Sequence, residues 1–382
     1  MAEPTPSGRN NPWLDLIRAL AIIMVIFRHG ERALQPRLGG TQDILQTIFM
    51  NGWIGVDLFF ALSGYLIARH LLRAGIGSPE FRIGRYLALR ALRILPAYYT
   101  VLLLVVVGSI PLFAVSQHQL GLRVAYHLLF LQDYLPSDIN VVFWSLGVEE
   151  KFYLLAPLLV LLLLKCRSTA AWTAVLLALF FLPSLCRAAI FLPSPDGWDY
   201  THFWRTFRSP FHMSLEGLII GVGIAMAELK GLVRPSTRSG LALIAGSGVL
   251  FAVWMGTGDF MAKIDGVDVL ARPPLIAVLI GAMLLGGVKL SRTPMPIKAP
   301  VQAIARLSYS LYLIHFPLIP LATAFGLPAG AGGFWLAYLV LSGIGASLLH
   351  TIVEKPFLVW KDQLARREHG RASLTVPHLS EV

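Results

Sequence analysis

The sequence predicts an all-α membrane protein, a polytopic bundle of about ten transmembrane helices. Of its 382 residues, 56% are hydrophobic and only 14% are charged, whereas about a quarter of the residues of a soluble domain carry charge. The apolar residues form long runs, and ten spans of roughly 20 residues would account for most of them. This composition excludes a soluble enzyme and a disordered protein. With only two cysteines, the chain also cannot build a disulfide framework.

Apolar runs bounded by charged residues, proline or glycine mark the predicted spans. In chain order they cover residues 13–33, 44–72, 86–110, 143–164, 170–192, 210–229, 240–257, 270–289, 304–326 and 333–358. The first is not expected to be a cleaved signal peptide, because Asp15 and Arg18 interrupt what would be its apolar core. The apolar stretch 120–131 is too short to span and predicts an interfacial or re-entrant helix.

Basic residues alternate from loop to loop and predict the orientation. Lys and Arg concentrate after the second, fourth, sixth and eighth spans and in the tail, while the intervening loops carry aspartates. Because cytoplasmic loops hold the excess of Lys and Arg, both termini are predicted to be cytoplasmic. The same rule accounts for the net charge of +11 without a nucleic-acid partner. The chain then divides into an N-terminal segment 1–12, a membrane domain 13–358 and a basic tail 359–382.

Ionisable residues inside the predicted spans indicate function, because a charge in hydrocarbon is costly. Arg18 and His29 lie eleven residues apart, about 20° off three full helical turns, and therefore share one stripe with an axial separation of about 16 Å. Asp57 in the second span is expected at the same depth as His29. The structural alternatives to a functional role are that His29 is an interfacial histidine, that Arg18 snorkels, and that Asp57 reaches interfacial water.

Two further clusters lie near the ends of spans. Arg90 and Arg93 face one side of the third span, where a guanidinium pair suits phosphate groups, although arginines there also follow from the orientation rule alone. Glu149 and Glu150 begin the fourth span and point about 100° apart. One of them can line the bundle interior while the other pairs with Lys151 or another helix, and the sequence does not decide which.

The last two spans contribute one ionisable group each. His315, near the middle of the ninth span, is interpreted as a structural hydrogen-bonding partner. Glu354, at the end of the tenth, is a candidate tie between the helix ends and the basic loops. No spacing among the histidines indicates a metal site.

Taken together, these segments resemble the acyltransferase 3 family of bacterial membrane acyltransferases, over nearly the whole chain. The resemblance depends on Arg18 with His29, Gly55-Val56-Asp57-Leu58-Phe59-Phe60 followed by Ser63-Gly64-Tyr65, Arg90 with Arg93, Phe143-Trp144-Ser145-Leu146 with Val148-Glu149-Glu150, Ser308-Tyr309-Ser310-Leu311-Tyr312 with His315, and Glu354-Lys355-Pro356. Arg28 and Lys151 occupy positions that vary in this family, and no role is assigned to them.

The resemblance implies a multi-pass enzyme of the bacterial inner membrane. It would transfer an acyl group, most often acetyl from acetyl-coenzyme A, to a hydroxyl of a cell-surface glycan or a lipid-linked saccharide. Three guanidinium groups would hold the phosphates of the coenzyme: Arg18, Arg90 and Arg93. No metal and no permanently bound cofactor are expected.

His29 is the expected centre of catalysis, as general base for the acceptor hydroxyl or as a covalent carrier of the acyl group. A carboxylate would hold its tautomer, with Glu149 or Glu150 favoured over Asp57. Ser63 as the acyl carrier is a less favoured variant.

Two other functions stay open at this point. The same ionisable groups could form the relay of a secondary transporter or flippase, and an acyltransferase could act on a small cytoplasmic molecule. The arginine pair favours a donor with phosphate groups over a carrier of neutral solutes.

Overall fold

The computed structural model describes residues 11–38, 43–260 and 264–374, and within them the fold is helical, with no strand. Its α-helices are α1 (Pro12–Leu38), α2 (Ile44–Met50), α3 (Gly55–Arg73), α4 (Ile83–Val106), α5 (Leu120–Leu128), α6 (Trp144–Lys165), α7 (Thr169–Phe191), α8 (Tyr200–Phe203), α9 (Leu215–Leu229), α10 (Thr237–Met255), α11 (Arg272–Lys289), α12 (Lys298–Ile314), α13 (Ile319–Gly326), α14 (Gly330–Leu349) and α15 (Lys355–Leu374). The predicted all-α class is therefore confirmed.

Six stretches of the described chain are long and apolar enough to cross a bilayer: Ile44–Arg73, Ile83–Val106, Thr169–Phe191, Thr237–Met255, Val267–Lys289 and Ile319–Ala365. The predicted count of about ten is not confirmed. Helices α1 and α6 do not qualify because charged residues interrupt them, and α9 and α12 are only 15 and 17 residues long.

Several of the predicted spans change helix type or break along their length. The segment 304–326 divides into α12 and α13 next to Pro317, whose ring cannot continue a helix. The segment 44–72 contains a 3₁₀ turn, Asn51–Ile54, between α2 and α3, and the segment 333–358 contains a π turn, His350–Glu354, between α14 and α15. The short helix predicted within 120–131 is present as α5.

The helix ends that carry the basic loops lie together at one end of the bundle, here called the basic face. The Trp13 indole, at the start of α1, donates to the Thr293 carbonyl at 3.0 Å. Arg85, at the start of α4, donates to the Ala365 carbonyl in α15 at 3.0 Å. Each of these contacts joins two segments that flank predicted basic loops.

Glycines bring the central helices into backbone contact. A Cβ atom at Gly64 of α3 would lie 2.1 Å from the Leu218 carbonyl oxygen of α9, and one at Gly221 would lie 2.2 Å from the Ala61 oxygen. Only residues without a side chain allow helices to approach this closely. The tight crossing of α3 with α9 holds Asp57 and Ser63 at fixed positions in the bundle.

Candidate functional site

A cavity of about 110 Å³ lies between α1, α3, α4, α6 and α12, and we call it the basic-face cavity. The three arginines predicted to bind phosphate all line it, and so does one of the two predicted glutamates: Arg18, Arg90, Arg93 and Glu149. Three guanidinium groups thus face a single lining carboxylate. The structure therefore brings together residues that are up to 131 positions apart in the sequence.

The polar contacts of this cavity are local and specific. Ser63 Oγ and Tyr153 Oη donate to the two carboxylate oxygens of Glu149, at 3.1 and 2.8 Å. The Arg90 guanidinium lies over the Tyr153 ring, 5.3 Å from its centre. Arg18 forms an ion pair with Asp15 at 3.2 Å. Among the described residues, the guanidinium groups of Arg90 and Arg93 have no carboxylate partner and stay available to an anionic ligand.

A second and larger cavity, of about 420 Å³, contains His29, and we call it the His29 cavity. Its wall includes the aromatic side chains of Trp53, Tyr134, Trp144, Tyr200, Trp204, Tyr312 and Phe316. The His29 ring packs against His315 and Phe316, with ring centres 5.3 and 5.1 Å apart. The exposed residues Tyr134, Asp138 and Thr201 at its rim come from connecting segments at the end of the bundle opposite the basic face.

The two cavities meet at Val56 and Tyr312, which line both. The Tyr312 hydroxyl shares a hydrogen bond with Ser145 Oγ at 2.6 Å and donates to the Val142 carbonyl at 2.9 Å. Phe59 packs edge-on against the same ring, 5.9 Å away. A single layer of side chains therefore separates the arginines from the imidazole, and Arg18 and His29 lie on its two sides, as their shared helical stripe predicts.

None of the carboxylates predicted to support His29 contacts its ring in this structure. Glu149 bonds to Ser63 and Tyr153 in the other cavity, and Asp57 is bound to Arg208 at 2.5 Å. Glu150 lines neither cavity and has no hydrogen bond within the described part of the chain. Because each carboxylate is engaged elsewhere or points away, none contacts the His29 ring.

One of the two rings that pack against His29 is a second histidine. His315 is fully buried, and its Nδ1 donates to the Leu311 carbonyl at 2.9 Å, so the structural role predicted for it is consistent with its contacts. Glu354 does not tie the basic loops as predicted. Instead it accepts hydrogen bonds from Ser310 Oγ at 2.8 Å and from His350 Nδ1 at 2.9 Å, inside the helix bundle.

Sequence reasoning missed the loop residues that complete the His29 cavity. Tyr200, Trp204 and Arg205 come from the segment between α7 and α9, and Tyr134 comes from the loop after α5. The available indication was the number of aromatic and basic side chains between residues 198 and 212, an unusual composition for a connecting loop.

A protein-family model described as "Acyltransferase domain" (Acyl_transf_3) matches residues 11–351. The chain is 26% identical to the peptidoglycan O-acetyltransferase OatA of Listeria monocytogenes, over 90% of this chain and 55% of that protein. It is 25% identical to the putative peptidoglycan O-acetyltransferase YrhL of Bacillus subtilis, over 93% and 56%. The chain thus spans about half the length of the curated relatives it matches. No solved structure matches it.

Proposed function

Because this chain belongs to the acyltransferase 3 family, we propose that it is an O-acetyltransferase of the bacterial inner membrane. It moves acetyl from acetyl-coenzyme A to a hydroxyl of a cell-surface glycan. The observation that carries the proposal is the pair of cavities meeting at Val56 and Tyr312, one rich in guanidinium groups and the other containing His29. Such a pair can accept a charged donor on one side and a sugar on the other.

The basic-face cavity is the donor site. Arg90 and Arg93 lie one turn apart on α4 and, together with Arg18, offer planar donor groups that bind phosphate oxygens in pairs. The excess of Lys and Arg at this face makes it the cytoplasmic one, where acyl-coenzyme A is available. The pantetheine arm then extends along α1 toward His29, a distance of about 16 Å from Arg18.

The His29 cavity is the acceptor site. Its rim lies opposite the basic face, so a glycan enters from outside the cell. Tyr134 and Trp204 provide flat apolar surfaces beside polar groups, which suits the face of a sugar ring with its surrounding hydroxyls. A small cytoplasmic acceptor would need this cavity to open at the basic face, and its rim residues lie at the other end.

His29 is the general base in this scheme. Its ring forms no hydrogen bond with any described residue, so its nitrogen is free to take the proton of the acceptor hydroxyl. The hydroxyl oxygen bonds to the thioester carbonyl carbon, the carbon–sulfur bond breaks, and the thiolate leaves with the proton. A covalent variant, in which His29 first carries the acetyl group, uses the same residues.

The test uses purified protein in liposomes, with labelled acetyl-coenzyme A and glycan fragments from the cell surface. We expect release of the coenzyme thiol together with label on the glycan. His29→Ala should abolish both, while His118→Ala, at an exposed loop position, should leave both unchanged. Turnover by a well-folded His29→Ala variant would contradict the assigned role. Transport of an intact solute without cleavage of the donor would contradict the whole proposal and favour a transporter.

A further inference from the structure

The wall of the His29 cavity contains two buried N–H donors that have no acceptor among the described residues. They are Arg28 Nη2 and Trp53 Nε1. Arg28 is 2% exposed and Trp53 is 6% exposed, and both line the cavity. A buried donor without an acceptor is destabilising, more so when it is charged. Two such donors on residues that line one cavity point to a ligand that supplies the acceptor.

The guanidinium of Arg28 also lacks a counter-charge. Its Nη1 donates to the Met50 carbonyl at 2.7 Å, which satisfies a hydrogen bond but neutralises no charge. Three acidic groups near the cavity are paired with other cations: Asp57 with Arg208, Asp133 with Lys151, and Asp138 with Arg123. Glu31, one turn further along α1, accepts a hydrogen bond from Gln46 and forms no ion pair with Arg28 in the described part of the chain. The missing partner is therefore an anion.

Backbone packing brings together the two elements that carry the donors. A Cβ atom at Gly52 would lie 2.1 Å from the Met24 carbonyl oxygen and 3.2 Å from Arg28 Cβ, so the 3₁₀ turn Asn51–Ile54 rests directly on α1. Trp53 follows Gly52, and the Arg208 guanidinium lies 5.2 Å from the centre of its ring. Arg28 is the neighbour of His29 in α1. Both donors are thus carried by packed elements that line the same cavity as the imidazole.

We propose that Arg28 and Trp53 form an anion site that binds a negatively charged oxygen beside His29. This inference rests on the proposed function. During transfer, the acceptor oxygen bonds to the thioester carbonyl carbon while His29 takes the hydroxyl proton, and the carbonyl π electrons move onto the oxygen that the two donors bind. When the carbonyl forms again, the carbon–sulfur bond breaks and the coenzyme thiolate takes the proton from His29. A carboxylate carried by the acceptor offers the same chemistry to the same site.

The first experiment removes one donor at a time from the full chain. Trp53→Phe keeps the ring and deletes the N–H, and Arg28→Met keeps most of the length and deletes the charge. We expect kcat to fall about 100-fold in each, as for other oxyanion donors, with the KM for acetyl-coenzyme A unchanged. Trp172→Phe is the matched control, because it deletes an N–H that is also buried and unpartnered but lies on α7, outside both cavities. We expect it to retain the wild-type kcat.

Two acceptors of equal length, one neutral and one bearing a carboxylate, distinguish the two sources of the anion. Loss of kcat with both acceptors means that the site binds the oxyanion of the reaction. A rise in the acceptor KM limited to the carboxylate acceptor means that it binds the acceptor's own charge. Variants that elute as folded protein and keep the wild-type kcat and KM with both acceptors would overturn the anion site.

A binding readout separates this inference from the proposed function. Sodium acetate should raise the thermal midpoint of the wild type and of Trp172→Phe, and it should raise that of Arg28→Met much less. If the wild type cleaves no acetyl-coenzyme A but shows this difference, the proposed function fails and the anion site stands. An equal response of all three proteins to acetate, with or without activity, would refute the site.

Discussion

The ion pair between Asp57 and Arg208 makes a strong prediction, because removing only the carboxylate leaves a guanidinium buried without its counter-charge. The Arg208 Nη2 and Asp57 Oδ2 atoms are 2.5 Å apart, and the two side chains are 6% and 11% exposed. Removing one partner of a buried pair costs about 3–5 kcal/mol. Asn keeps an acceptor at this position, so we expect Asp57→Asn to lose about 3 kcal/mol, at the lower end of that range.

The same change disturbs the His29 cavity indirectly. The Arg208 guanidinium lies 5.2 Å from the centre of the Trp53 ring and 5.6 Å from that of Trp144, and both rings line the cavity. Without Asp57, this guanidinium shifts toward other acceptors or water, and the rings lose a packing partner. Reduced activity of Asp57→Asn would therefore come from misplaced walls, with Asp57 touching no substrate.

A double-mutant cycle separates the two explanations. We expect the midpoint of thermal unfolding in one detergent to fall strongly for Asp57→Asn and for Arg208→Gln, and less than additively for the double variant, because the double variant leaves no unpaired charge. Glu216→Gln is the matched control, since Glu216 pairs with Arg187 equally deep in the bundle but outside both cavities. An Asp57→Asn protein with the wild-type midpoint and no turnover would refute this reasoning and return Asp57 to the catalytic groups.

Two further predictions concern the basic-face cavity and the loop after α4. Arg90→Ala combined with Arg93→Ala should raise the KM for acetyl-coenzyme A at least about tenfold, because each charged hydrogen bond to phosphate is worth about 1.5–3 kcal/mol. Steady-state kinetics tests this prediction. The control is Arg82→Ala, which lies outside that cavity. Burial lowers the pKa of His127 in α5 to about 4. The contribution of neutral His127 to stability should therefore be complete above pH 6.5 and fade as the pH falls from 6.5 toward 4. The thermal midpoint of His127→Asn should depend less on pH in that range than the midpoint of the wild type. Parallel pH profiles of the two proteins would contradict this assignment.

Local features of the sequence were enough to locate the helices and to predict one face of α1. The spacing of Arg18 and His29 depends only on the pitch of a helix, and the structure preserves it, with the two residues on opposite sides of the Val56 and Tyr312 layer. The ion pair of Asp57 could not be predicted in this way, because its partner Arg208 lies 151 positions further along the chain. No local pattern indicates which of several cations a buried carboxylate meets.

Helices α1 and α6 show why the number of spans was harder to predict than the positions of the helices. Both carry at least three charged residues in any stretch long enough to cross a bilayer, so their composition alone does not identify them as membrane spans. Several of those charges line the two cavities, among them Arg18, Arg28 and Glu149. The charged residues that lower the hydropathy of α1 and α6 therefore themselves indicate function, because a charge inside a membrane costs free energy.

The layer formed by Val56 and Tyr312 leads to a final prediction. In the proposed reaction it keeps water in the His29 cavity away from a thioester held at the basic-face cavity, and the Tyr312 ring must move aside only when the donor arm passes. Tyr312→Leu should join the two cavities, because it removes both hydrogen bonds and much of the ring volume. We expect more acetyl-coenzyme A hydrolysis without acceptor, relative to transfer, measured as released thiol. Tyr338→Leu is the control, since that tyrosine is equally buried but lines neither cavity. An unchanged ratio of hydrolysis to transfer in a folded Tyr312→Leu protein would mean that this layer is not the barrier.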